Sequence, residues 1–299
     1  MTDSKFLAYA GHINVDVVMS VDQLTDDITN RVSSVDEQFG GTAGNFAIVA
    51  SKLDYPFRIY STVSRKSHAA YIQFLKDLGI SLEGITINEN GFGPICYAVN
   101  DGKKQKYYMA EGPMTGIRYN LQDEHYRYLH MSTGDPDTNM DLLDRSIHDR
   151  AVFDPSQEIF YKYGKEQIQK FVKKSDIIIG NRDEINFMRD KGEISLEQEI
   201  STGKIFIETR GHSGTFLHGK KESLIPSINA TGKVNTLGAG DSFRAGLYFG
   251  LFRNMDMEHS IACGNVVAYK AVTDGIMNIS LSAESIISRA KMLCDKTIP

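Results

Sequence analysis

The chain has 299 residues with a net charge of −5, from 33 Lys and Arg against 38 Asp and Glu, and 41% of its residues are apolar. That length suits one large α/β body carrying a smaller insert and buries a substantial core. With no basic block to track a nucleic-acid backbone and no apolar run near the ~20 residues that span a bilayer, nucleic acid and membrane are not expected as partners, and the chain reads as cytoplasmic.

In chain order, residues 6–10 read as a short apolar strand ending in Gly11, and residues 15–19 and 31–35 as two further strands. Residues 45–53 have helical spacing, 57–63 form the next strand, and 69–78 return to a helix with Ala70, Phe74 and Leu78 on one face and Gly79 as its stop signal. Residues 94–100 and 105–109 are strand-like and flank Asp101-Gly102, a strong hairpin signal. Strands at 151–154, 177–180 and 204–208 then alternate with helical segments. Alternation of this kind predicts an α/β fold, a parallel sheet with helices on both faces, whose ligands bind beyond the carboxyl ends of the strands. Gly11, Asp154, Asn181, Thr209 and Asp241 all fall at or near such ends. The pieces at 15–19, 31–35, 94–100 and 105–109 break the rhythm and are expected to form a small projecting sheet. An ordinary antiparallel edge on the main sheet is the plainer alternative.

The densest chemical signal is Asn235-Thr236-Leu237-Gly238-Ala239-Gly240-Asp241-Ser242-Phe243, a turn of small residues opening a helix. Gly238, Ala239 and Gly240 let backbone approach a ligand, and the first N–H groups of a helix lack intrahelical partners and carry its positive end, so an anion is expected there. Asp241 would stand beside that anion as a general base for an attacking hydroxyl. The plainer reading is a packing turn with an acidic cap. A second glycine segment, Gly40-Gly41-Thr42-Ala43-Gly44-Asn45, also opens onto a helical run and favours the functional reading. Asp16, after a Gly-His-Ile-Asn turn, can accept hydrogen bonds from two vicinal sugar hydroxyls. Gly214 to Lys221 nearly spells a P-loop, but Lys221 stands where Ser or Thr is required and the polar run reads as a hairpin turn. Cys96, Cys263 and Cys294 are odd in number and far apart, and no His-Glu-x-x-His occurs, so neither a disulfide framework nor a zinc site is expected.

Together with Gly11 to Asp16, these two segments resemble the signature regions of the ribokinase-like (PfkB) family of carbohydrate and nucleoside kinases. His130-Met131-Ser132-Thr133-Gly134-Asp135-Pro136 and Phe153-Asp154-Pro155-Ser156-Gln157 are similar to the archaeal nucleoside kinases within it. The resemblance implies a ribokinase-like fold, with a core from 1–12, 37–92 and 112–299 and a β-sheet lid over the substrate from 13–36 and 93–111. It implies an ATP-dependent kinase acting on the 5′-hydroxyl of a nucleoside, with Asp241 as base and Gly238, Ala239 and Gly240 in the anion hole. Asn14, Asp16, Gly40, Gly41 and Asn45 would hold the sugar, and Tyr108 and Gln157 the base or the lid. Asn181, Thr209, Gly211, Gly214 and Asn265 would face the nucleotide, and Glu184 the magnesium that arrives with ATP. Each has a plainer role: Asn181 and Glu184 as helix cap and acidic first turn, Asn265 as a buried helix polar residue. A homodimer paired through the lid is expected.

Two departures bear on the pocket. Relatives often have Gly-x-Val-Gly-x-Asp where this chain has Ser61-Thr62-Val63-Ser64-Arg65-Lys66. Asn235 replaces an aspartate that helps hold a monovalent cation in several relatives, which leaves dependence on such a cation open. The alternatives are a sugar or polyol kinase of the same family and a non-catalytic nucleoside-binding protein on a kinase fold.

Overall fold

Alternate residues of the first strand, β1 (Lys5–Ala10), face opposite sides and both sides are apolar: Leu7 and Tyr9 join one core, Ala8 and Ala10 another. A strand buried on both faces belongs inside a parallel sheet with helices on either side, and that is where it lies in this computed structural model, which describes residues 5–25, 29–121, 124–230 and 236–297. The remaining strands are β2 (Asn14–Val21), β3 (Val32–Gly40), β4 (Phe57–Ser64), β5 (Ile85–Asn88), β6 (Ile95–Asn100), β7 (Gln105–Ala110), β8 (His125–Met131), β9 (Ile147–Phe153), β10 (Ile177–Asn181), β11 (Ile205–Thr209), β12 (Thr215–His218) and β13 (Ser223–Ile225). Among the described residues they form a nine-stranded sheet in the order β13-β12-β11-β10-β9-β8-β1-β4-β5 and a four-stranded sheet in the order β3-β2-β6-β7.

The large sheet is parallel from β5 to β11, and β12 and β13 finish it as an antiparallel hairpin. That hairpin covers the P-loop-like segment, so the polar turn after His218 is a strand connection and not a helix start. The small sheet is antiparallel at β2–β3 and β6–β7 and parallel at β2–β6. It shares no strand with the large sheet, so it is a separate sheet and not an edge. β3 runs on to Gly40, where Gly40 pairs with Asn14, past the boundary expected at residue 36. No helix of the described residues is long and apolar enough to cross a membrane.

One core packs the helices Thr42–Ala50, Ala239–Phe252 and Met257–Asp274 on one face, with Phe46, Tyr248 and Val267 buried. The other face carries Leu129, Phe153, Phe171 and Ile178. Helix Ala239–Phe252 is buried from Asp241 to Leu251, and it lies close to its neighbour because a Cβ at Gly246 would fall 2.6 Å from the carbonyl oxygen of Cys263. This contact fixes the helix whose first turn carries Asp241.

Candidate active site

Strand β3 enters the helix Thr42–Ala50 through Gly41 alone, so the expected six-residue glycine loop is a strand end, one turn residue and a helix start. Gly41 has φ of 85°, and a Cβ on it would lie 2.4 Å from the carbonyl oxygen of His12 and 2.6 Å from the amide nitrogen of Asn14. The amides of Ala43 and Gly44 donate to the same His12 carbonyl, at 2.9 and 3.2 Å. The turn after β1 is thereby tied to the helix that presents Asn45. Gly40 works differently. A Cβ there would meet the Asp16 carboxylate at 2.1 Å, so the missing side chain is the seat of Asp16.

These elements enclose a cavity of about 660 Å³ lined by Asn14 and Asp16 from β2, Tyr107 and Met109 from β7, Gly41 and Asn45 from one helix start, and Gly238, Gly240, Asp241 and Arg244 from the other. Gln157 lines it as well. The Asn45 amide donates to Asp241 Oδ2 at 2.9 Å, and Arg244 Nη1 lies 3.6 Å from Asp241 Oδ1. Burial pushes the Asp241 carboxyl up to about 6, against the pull of Arg244 and Asn45. Burial also raises Asp16 to about 6, with Asn14 opposing and Asp241 adding to the rise.

Four buried polar atoms of the lining residues have no hydrogen-bond partner among the described residues: His12 Nε2, Asn14 Oδ1, Asp16 Oδ1 and Asn45 Oδ1. Three are oxygens, which accept. The fourth follows from its ring: His12 Nδ1 lies 3.5 Å from Glu158 Oε1, so that nitrogen carries the proton and Nε2 offers a lone pair. Burial first, and then the Lys162 ammonium, push His12 down to about 3, so it is neutral. Glu158 is pinned in turn by Lys162 Nζ at 2.9 Å and by the Gly134 amide at 2.6 Å. Buried acceptors without donors cost free energy, and this set calls for a ligand rich in hydroxyl or N–H groups.

The helix Ala239–Phe252 starts at Gly238, and its first i→i−4 bond runs from Ser242 N to Gly238 O at 2.9 Å. The N–H groups of Gly240 and Asp241 precede that bond and are free of it. The Ala239 N–H differs from the expectation, since it donates to Thr236 O at 3.2 Å and leaves only its two successors to meet an anion. Gly232 to Val234 and Asn235 lie outside the described residues.

The structure departs from the expected residues at several positions. Tyr108 does not line the cavity. On a strand successive side chains alternate: Tyr107 and Met109 line the cavity on the face that carries Asp16 and Cys96, and Tyr108 takes the opposite face with Tyr97. Lys66 is also outside, with its ammonium 4.6 Å from the Phe92 ring, and Ser64 accepts from the Lys66 amide as a helix cap.

Asn181 and Thr209 end the adjacent strands β10 and β11 and pair in register, and neither lines the cavity. Asn181 caps the helix Arg182–Gly192: its Oδ1 accepts from the Glu184 amide at 2.9 Å, while Glu184 Oε2 accepts from the Asn181 amide at 2.7 Å. Glu184 is buried, which raises it to about 7. A carboxylate engaged in a cap and half-protonated near neutrality is a poor direct magnesium ligand, and the described residues hold no group of three or more His, Cys, Asp or Glu that could bind a metal ion. Gly211 and Gly214, at φ of 57° and 95°, shape the turn between β11 and β12. Asn265 spends its amide hydrogens on the carbonyls of Ile225 and Pro226, at 3.2 and 3.1 Å, and its oxygen accepts from Thr215 at 2.7 Å, so it staples its helix to the sheet edge.

Sequence reasoning missed His12, Glu158, Tyr107 and Arg244. Arg244 had a signal: it is the one charged residue after Asp241 in an otherwise apolar helix, three positions on and therefore on the same face. His12 had none, since nothing near it in sequence announces Glu158.

The profile of pfkB family carbohydrate kinases matches residues 4–283. A nucleoside kinase of Thermoplasma acidophilum is 40% identical over 284 residues, covering 94% of each chain. The solved structure of a Methanocaldococcus jannaschii nucleoside kinase superposes with a TM-score of 0.88 at 22% identity, over 98% of this chain and 100% of that one. A Burkholderia thailandensis nucleoside kinase in complex with inosine superposes with a TM-score of 0.82 at 19% identity, over 96% and 97%. At such identities the two structures speak for the fold.

Proposed function

This chain belongs to the pfkB family of carbohydrate kinases and is a phosphotransferase with a hydroxyl acceptor, and from that premise we propose that it transfers the γ-phosphoryl group of ATP to the 5′-hydroxyl of a nucleoside. The observation that carries the reading is the set of four buried acceptors, without donors among the described residues, that line the cavity with Asp241. A ribose presents its hydroxyl hydrogens to Asn14, Asp16 and Asn45, and the volume of about 660 Å³ exceeds what a free pentose needs and falls within the ~300–1,000 Å³ of small-molecule sites. Tyr107, Tyr161 and Gln157 line the remaining space and offer ring faces and an amide to a base.

In the reaction Asp241 takes the proton of the acceptor hydroxyl, whose oxygen bonds to the γ-phosphorus as the bond to the bridging oxygen breaks and ADP leaves. The N–H groups of Gly240 and Asp241, at the positive end of a buried helix, stabilise charge on the phosphoryl oxygens by about 3 kcal/mol per donor, the scale of comparable holes. Magnesium bound with the nucleotide would supply charge neutralisation on its phosphates, and Glu184, buried at the start of the helix after β10, would be the acidic side chain to face the ion's waters. The four-stranded sheet closes over the cavity and excludes water, which otherwise competes as acceptor. Outward Val35 and Tyr108, 60% and 57% exposed, give that sheet an apolar surface suited to pairing with a second copy.

The test is ADP release with Mg-ATP and a panel of nucleosides, ribose, fructose 6-phosphate and inositol. Turnover on nucleosides supports the reading. Turnover on sugars alone replaces it with the sugar-kinase alternative, and none on any acceptor favours a binding protein.

A further inference from the structure

Arg244 is an arginine buried in a helix of apolar neighbours, and two of its three guanidinium nitrogens are committed. Nε and Nη2 donate to the two oxygens of Asp154, the latter at 2.5 Å. Asp154 directly follows β9, is fully buried, and is itself fixed by its amide on Met131 O at 2.9 Å, with His130 Nε2 3.4 Å from Oδ2. A forked pair of this kind cannot swing. It aims the third nitrogen, Nη1, at Asp241 Oδ1, 3.6 Å away. A side chain at position 240 would collide with it, since a Cβ on Gly240 would stand 2.7 Å from Nη1. Gly240 therefore leaves room for the guanidinium as well as for a phosphoryl group.

A buried ion pair is weak evidence for stability, because apolar residues of like volume hold a core as well or better. What such residues cannot supply is a fixed positive charge beside the base. We propose that Arg244, clamped by Asp154, is a positioning residue that holds the Asp241 carboxylate ionised and oriented, and so sets the acid limit of turnover. This rests on the nucleoside kinase reading and adds a residue to it. The other groups facing Asp241 are Asn45, the carboxylates of Asp154 and Asp16, and the buried phenols of Tyr9 and Tyr71. Both carboxylates oppose its ionisation and both phenols stay neutral, which leaves Arg244 as its cationic support.

The experiment is the pH dependence of kcat at saturating nucleoside and Mg-ATP for the parent, Arg244→Met and Arg244→Lys. Using kcat separates Asp241 from Asp16, which titrates in the same range in the free enzyme. Losing a cation within ~4–6 Å moves a carboxylate by ~1–3 units, so the acid limb of Arg244→Met should move up by at least one unit, with activity recovering toward the parent at alkaline pH. Arg244→Lys, which keeps the charge, should stay within about half a unit of the parent on the same scale. Should Arg244→Met not fold, Asp154→Asn/Arg244→Met removes both charges, and the limb should still move up because Arg244 acts on Asp241 more strongly than Asp154 does. An unmoved limb in the Met variants, or a loss of kcat uniform across pH, overturns the proposal. A parent enzyme with no turnover overturns the kinase reading instead.

Discussion

Replacing Asp241 by Asn should abolish most turnover and at the same time stabilise the protein. The folded chain holds this carboxyl near 6 where an exposed aspartate sits at 3.8, a rise of about two units. At 1.36 kcal/mol per unit, the ionised group costs the fold about 3 kcal/mol at pH 8. The sign follows from proton linkage: the folded state binds this proton more tightly, so the contribution is favourable below about pH 4 and is lost as pH rises through about 6. Asparagine keeps the shape, can turn its oxygen toward the Asn45 amide and carries no charge to desolvate. Thermal melting at pH 8 should therefore rise by roughly 5 °C, taking the entropy of unfolding as about 2.1 cal/mol/K per residue. At pH 3.5 parent and variant should melt together. Turnover of a nucleoside at pH 8 should fall by about two to four orders of magnitude, the range for a lost general base, with nucleoside affinity little changed. Melting below the parent at pH 8 would refute the electrostatic argument, and near-normal turnover would refute the assignment of the base.

Other outcomes follow from the same geometry. In the parent, kcat should fall as pH drops through about 6, as the base takes up its proton, and a flat profile from pH 5 to 8 would contradict this. Tyr107→Ala should raise the nucleoside KM by roughly 3- to 10-fold, the worth of one aromatic contact, while Tyr108→Ala leaves it unchanged; equal effects would refute the strand orientation. Gly41→Ala should lower stability by about 1–3 kcal/mol in denaturant titration, because φ of 85° is strained for alanine and its Cβ meets the His12 carbonyl. Chelation by EDTA should stop turnover and leave the melting temperature unmoved, since the ion is brought by the nucleotide; a lower melting temperature would point to a metal held by the protein itself.

Some of this was legible from the chain alone because it depends on residues a few positions apart. A turn residue held at positive φ favours glycine, and free N–H groups at a helix start are a property of any helix, so Gly41 and the helix start at Gly238 to Asp241 could be read from their segments. Alternating apolar runs fixed the α/β class for the same reason, and the hairpin at Asp101-Gly102 announced itself. The tertiary structure alone joined Asn45 to Asp241 across 196 positions and Arg244 to Asp154 across 90. It alone oriented the His12 ring toward Glu158 and chose Tyr107 over Tyr108 through the pairing of β6 with β7. These are long-range or register-dependent contacts. Sequence spacing constrains only what lies within a turn or two of the same element, whereas the charge state of a buried carboxylate is set by whatever the fold brings against it.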